Sequence, residues 1–155
     1  MAQGNTFTVQ GVISTLVADT FAQLALPTGL TGNDTTAFRI KQYQFEHPQL
    51  ANINAVKSEV QLTRGSKLSM ANFLDTSLLV KDARIVALVT SGMYLQDLIK
   101  DVSPQGDIII VEQQIYIGYK TTAQGATASL GYKLVFEEIK ITADQRIAIL
   151  AQRLP

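Results

Sequence analysis

Cysteine and tryptophan are missing from this 155-residue chain, and histidine occurs once. These absences exclude a disulfide framework, a thiolate zinc site and the histidine cluster that a metal-dependent jelly-roll or cupin enzyme needs. Long apolar runs are missing too. The longest, Ile85–Val89 and Ile108–Val111, fall far short of the roughly 20 residues that span a bilayer. The first residues, Met-Ala-Gln-Gly-Asn-Thr, show no basic stretch followed by an apolar one, so a secretory signal is not expected. The expectation is a protein kept in the cytosol or released by lysis. Charge is scarce as well: charged residues make up 17%, and 13 Lys plus Arg balance 13 Asp plus Glu. The first basic side chain is Arg39, and Met1 to Phe38 carries only Asp19 and Asp34. Without a basic arm or a net positive field, direct binding of nucleic acid is not expected.

What the chain does contain is period-two alternation. A length of 155 residues suits one domain, 1–155, with one core. Thr6–Ile13 sets Phe7, Val9 and Gly11 opposite Thr8, Gln10 and Val12, as an edge strand does. Asp19–Leu26 repeats the pattern and ends at Pro27 before a Thr/Gly/Asn/Asp-rich loop. Phe38–Phe45 alternates ambiguously, because Phe38 and Ile40 oppose Tyr43 and Phe45. Val56–Leu62 is a clean alternation, Lys67–Asp82 reads as a long connection, and Arg84–Thr90 reads as a buried strand. Leu95, Leu98, Ile99 and Val102 fall at helical spacing and favour a short helix over Tyr94–Val102. Asp107–Tyr119 and Leu130–Ile141 read as two long strands, neighbours in one sheet. Thr142 to Gln145 fits a capping box, and Ile147, Leu150, Ala151 and Leu154 follow at helical spacing. The result is an all-β sandwich or jelly roll of roughly eight strands, closed by a short C-terminal helix.

Candidate chemical groups are few. His47, beside Pro48 at a strand end, reads as a solvent-facing loop histidine, with no nucleophile pattern near it. Glu137 and Glu138 are adjacent on a strand and point to opposite faces, so they cannot share a substrate. Asp97 and Asp101 would share a face of a helix, but two carboxylates make a weak calcium site. The glycines Gly29, Gly32, Gly125 and Gly131 lack the Lys-Ser/Thr of a phosphate loop and read as turn residues. No Gly-x-Ser-x-Gly elbow is present. Tyr43, Tyr94, Tyr116, Tyr119 and Tyr132 fall at core-like spacing, which favours packing over a stacking surface. No residue takes a catalytic, cofactor-binding or metal-binding role, and no cofactor or small-molecule substrate is expected. Phe7 and Val9 in the first strand, and Ile147 and Leu150 in the terminal helix, are the candidate subunit contacts.

The stretches Asp107–Thr121 (DIIIVEQQIYIGYKT) and Gly131–Thr142 (GYKLVFEEIKIT), followed by a short helix, resemble the closing strands of single jelly-roll viral capsid proteins. The pattern and size are most similar to the small major capsid proteins of icosahedral, membrane-containing double-stranded DNA viruses, the sphaerolipovirus type. That resemblance implies a single jelly roll in a virion capsid, synthesised in the host cytoplasm. It also implies assembly with copies of itself or a second capsid protein over an internal viral membrane. A neutral surface rich in Thr and Gln suits repeated lateral contacts, where like charges would repel. The competing class is a ligand- or receptor-binding sandwich, lectin-like or part of a phage appendage; an enzyme is not expected.

Overall fold

Alternating side chains give each strand one apolar face, and those faces meet between two antiparallel sheets. The computed structural model describes residues 5–15, 20–31, 35–47, 56–72, 74–89, 92–102, 108–121 and 128–151. The strands are β1 (Thr6–Thr15), β2 (Ala22–Pro27), β3 (Thr36–Glu46), β4 (Val56–Thr63), β5 (Leu78–Val89), β6 (Gly92–Val102), β7 (Ile109–Ile110), β8 (Gln114–Thr121) and β9 (Ala128–Lys140), followed by helix α1 (Ala143–Ala151). One sheet has the order β1-β9-β3-β7 and the other β2-β8-β4-β5-β6. The pairs are nested along the chain: β1 with β9, β2 with β8, β3 with β7 and β4 with β5, while β6 adds a hairpin at the edge beside β5. This is the all-β sandwich that the alternation predicts.

Side chains from both sheets share one core. Val60, Leu62, Ile115, Ile117 and Val80 come from one sheet, and Ile13, Phe38, Ile40, Leu130, Leu134 and Phe136 from the other. β1 does lie at a sheet edge, and its Phe7 stacks on Phe136 at 5.2 Å and meets Phe38 edge-on at 4.9 Å.

The ambiguity of Phe38–Phe45 has a structural cause. The register between β3 and β9 shifts between Ile40 and Gln42, so Lys41 is an extra residue. A bulge of this kind reverses the parity of every residue that follows it. Phe38 and Ile40 therefore face the core before the bulge, and Tyr43 and Phe45 pack against the same core after it.

Three expectations are corrected. Tyr94–Val102 is strand β6, not a helix, because pairing to β5 overrides its helical spacing. The long strand expected over Asp107–Tyr119 is two strands in different sheets. β7 and β8 are separated by Val111–Gln113, with Thr28 N–H donating to the Gln113 carbonyl at 3.0 Å. Consequently β8 and β9 are not neighbours: β8 pairs with β2 and β4, and β9 with β1 and β3. The connection read over Lys67–Asp82 is shorter than expected, since Leu78 already begins β5.

The capping box forms as the sequence predicts. Thr142 N–H donates to Gln145 Oε1 at 2.8 Å, and Gln145 N–H donates to Thr142 Oγ1 at 3.1 Å. The helix docks through Ile149, which packs on Ala37, Val111 and Ile141, and through buried Arg146, whose Nη2 donates to the carbonyls of Val111 (2.8 Å) and Thr31 (3.2 Å). Ile147 and Leu150 are left facing outward.

Candidate functional site

The interior changes character along the sandwich. Cross-strand rows in the five-stranded sheet run Val80–Leu62–Ile117, then Asp82–Val60–Tyr119, then Arg84–Ser58–Thr121. The first row is wholly apolar and the last wholly polar. Opposite the polar end stands His47, one residue beyond β3, which the bulge at Lys41 places on the core-facing parity.

These groups form one hydrogen-bonded chain. His47 Nε2 lies 2.7 Å from Asp82 Oδ2, and His47 Nδ1 lies 2.7 Å from Ser58 Oγ. The carboxylate can only accept, so His47 Nε2–H donates to Asp82, and Nδ1 and the Ser58 hydroxyl share the second bond. Ser58 Oγ lies a further 3.1 Å from the Tyr119 hydroxyl. The side chains of His47 and Asp82 are each 2% exposed. Arg84 Nε stands 3.6 Å from Asp82 Oδ2. Burial pushes the Tyr119 phenol above its ordinary pKa, against the lowering effect of Ser58 and Thr121, so it stays protonated at neutral pH. The expectation of a solvent-facing His47 is therefore corrected: it is a buried tie between the two sheets.

Ser58, His47 and Asp82 have the composition of a hydrolase triad, but a nucleophile must reach its substrate. Ser58 is fully buried and does not line the neighbouring cleft. The chain positions groups; it does not present a nucleophile.

Beside this chain lies a cleft of about 1330 Å³. His47, Asp82 and Arg84 line it together with the ends of β1, β3 and β9. Tyr43, Phe45 and Tyr132 contribute rings, and burial pushes the Tyr132 phenol up. Tyr132 crosses the bare backbone of Gly11, where a Cβ would stand 2.6 Å from the phenolic oxygen. On the outer face of the same sheet end, Gln10, Lys133 and Gln44 form a row across β1, β9 and β3, and Val12, Gly131 and Glu46 form the next.

Other candidates are placed as follows. Glu137 faces Arg39 and Lys41 at 3.6 and 3.4 Å, and Glu138 pairs with Lys140 at 3.5 Å, so the two glutamates serve opposite faces as expected. Asp97 and Asp101 lie on β6, where a spacing of four residues separates their backbones by about 13 Å, too far to share one cation. Their side chains, and that of Tyr94, lie outside the described residues, as do Gly32 and Gly125. Gly29 is a turn glycine with φ of 77°. Tyr119 and Tyr132 are buried as core-like spacing predicts, and Tyr116 donates to Gln114 Oε1 at 3.0 Å. Among the tentative contacts, Val9 packs on the chain's own core, Phe7 stacks on Phe136 while remaining 37% exposed, and Ile147 and Leu150 are exposed. Sequence reasoning missed Asp82, Ser58 and Arg84. The signal available was the polar residues at the inward positions next to Val60 and Val80, Ser58 on one strand and Asp82 and Arg84 on the other, legible only once the strand bounds are known. No family model matches the chain, and no curated protein matches it.

Proposed function

We propose that the chain is a single jelly-roll coat subunit that assembles with copies of itself or with a second capsid protein. The observation that carries this reading is the nested pairing β1·β9, β2·β8, β3·β7 and β4·β5 divided between two sheets. A jelly roll is one long antiparallel hairpin folded across a sandwich, and this order supports it, with β6 as an added edge strand. Assembly draws on apolar side chains that the sandwich does not use. Leu68 (96% exposed) and Leu74 (91%) flank the Lys67–Asp75 ion pair on the connection between β4 and β5, and Ile147 (64%) and Leu150 stand on α1. The leucine-bearing connection is held in place. Gln61 bonds the Ala71 N–H and the Ser69 carbonyl, and Lys81 Nζ donates to the Ala71 carbonyl at 2.8 Å. Fixed, exposed apolar groups mark contact surfaces.

Light scattering of the purified chain across concentration and salt, with electron microscopy of the products, tests the reading. Discrete oligomers growing into sheets or shells are expected, and Ile147→Ser with Leu150→Ser reduces them. A strict monomer under every condition refutes self-assembly.

A further inference from the structure

We propose that β1 is the pairing edge of the subunit: it adds antiparallel to β1 of a second copy across a twofold axis, joining two four-stranded sheets into one continuous sheet. The proposal rests on the self-assembly reading above in taking a second copy as the partner, and it names the surface and the register of that contact.

The strands at sheet edges are β1 and β7 in one sheet and β2 and β6 in the other. An edge strand presents a row of unpaired N–H and C=O groups, and proteins blunt such rows with short strands, proline, charge or bulges. Three of these edges carry such devices. β7 has two residues, β2 has six and ends on Pro27, and β6 carries Asp97, Lys100 and Asp101 while its register with β5 shifts twice. β1 carries none of them. Its ten residues, TFTVQGVIST, include no charged residue and no proline, and they pair with β9 in unbroken register from Thr6–Glu137 to Thr15–Ala128. Among the described residues β9 is its one ladder partner.

The strand is also self-complementary. A twofold axis normal to the sheet keeps the core side of one copy level with the core side of the other, so opposed positions must share parity. With Gln10 on the axis, Phe7 stands opposite the partner's Ile13 and Val9 opposite the partner's Gly11 on the core side. On the outer side Thr8 stands opposite the partner's Val12 and Thr6 opposite the partner's Ser14. Thr6 to Ser14 of each copy are thereby matched with no like charges opposed. Apolar groups at this edge have surface left to bury: Phe7 is 37% exposed although it stacks on Phe136, and Val12 is 62% exposed. Moving the axis to Gly11 would set Phe7 against the partner's Thr15 and lose the apolar pair, which selects Gln10. Helix α1 packs over Ala37 and Ile109, on β3 and β7 at the far edge of the sheet, so its exposed face does not compete for this contact.

The test uses the absence of cysteine, which lets one introduced thiol report one contact. Opposed residues of antiparallel strands lie about 4.5–5.5 Å apart between Cα atoms, within disulfide reach. Gln10→Cys should therefore oxidise to a covalent dimer. Thr8→Cys, exposed on the same face, should not, because its counterpart lies about 13 Å along the strand, yet it should cross-link when mixed with Val12→Cys. Sedimentation of the full chain across concentration gives the second readout, with circular dichroism checking each fold. Gln10→Lys opposes two ammonium groups on the axis and should weaken dimerisation at least about tenfold, and mixing it with Gln10→Asp should restore a heterodimer. Ile147→Ser with Leu150→Ser should leave the dimer intact. Equal cross-linking of Gln10→Cys and Thr8→Cys, or equal sedimentation of oligomeric wild type and Gln10→Lys, overturns the β1 pairing while assembly through another surface stands. A strict monomer at every concentration overturns both.

Discussion

Replacing His47 by leucine tests whether the polar end of the sandwich is held by the imidazole. The substitution keeps an apolar body of similar size but removes both ring nitrogens. Asp82 loses its 2.7 Å donor, and Ser58 loses its 2.7 Å hydrogen-bond partner. A hydrogen bond to a charged group is worth about 1.5–3 kcal/mol. The carboxylate is then left buried, with Arg84 Nε at 3.6 Å as its nearest cation in the network. Breaking a buried pair from one side costs about 3–5 kcal/mol, a large share of the roughly 5–15 kcal/mol that stabilises a domain. In urea, at about 2 kcal/mol per molar, the midpoint falls by about 2 M. Far-UV circular dichroism follows the transition, since the chain has no tryptophan. The variant His47→Leu/Asp82→Leu should recover about half of the loss, because the orphaned charge goes with its partner. A loss below about 1 kcal/mol for His47→Leu, the range of a surface residue, would refute the reasoning.

Arg146→Leu removes the donor to the Val111 and Thr31 carbonyls and should cost about 2–4 kcal/mol, with hydrogen exchange rising first in α1. Unchanged exchange there would show that Ile149 alone docks the helix. Gly118→Ala places a Cβ 2.6 Å from the Phe21 ring and 3.1 Å from Gln61 Cγ and should cost about 1–3 kcal/mol by thermal melting, most of which should be relieved in a Phe21→Ala background. Asp75 is held down to about 2 by hydrogen bonds from the Lys67 ammonium and Ser77. Its folded pKa lies below the ordinary 3.8, so its stabilisation is present above that value and is lost as pH falls toward about 2. Discounted for solvent screening, Asp75→Asn should cost about 1 kcal/mol at neutral pH, and the difference from wild type should close on acidification through that window. A gap that widens on acidification would reverse the assignment.

The sequence made the strands legible wherever one face meets the core and the other meets water. Val56–Leu62, Thr6–Ile13 and the capping box at Thr142 appear in the structure as alternation and local spacing predict. It misled where tertiary pairing overrides local pattern. The helical spacing of Leu95, Leu98, Ile99 and Val102 yields to pairing with β5, and the apolar run from Ile108 hides a change of sheet between β7 and β8. The candidate site was hidden by a single residue. Simple counting from Phe38 puts His47 on the face opposite Phe38 and Ile40, and only the extra Lys41 in β3 turns it inward. A bulge leaves little trace in composition, because its signature is the partner's register. Asp82 was hidden for a related reason: Lys67–Asp82 reads as a connection, so its inward parity in β5 cannot be counted.

The two ends of the β1-β9-β3-β7 sheet differ in what covers them. Ala37 pairs with Ile139 at one end, where Ile149 of α1 covers the outer face. Glu46 pairs with Gly131 at the other, where the cleft opens. Eight residues of β3 lie between them, and the nine steps from Ala37 to Glu46 span about 30 Å of strand. Ile147 and Leu150 belong to the covered end, so a lateral contact made through α1 leaves the cleft free. Polar inward residues such as Ser58, Asp82 and Arg84 contribute less apolar burial than the Leu62 row, and the His47 chain offsets that loss by joining the sheets where hydrophobic packing stops. The same residues therefore hold the mouth of the sandwich together, and the tie leaves one buried carboxylate oxygen, Asp82 Oδ1, without a hydrogen-bond partner among the described residues.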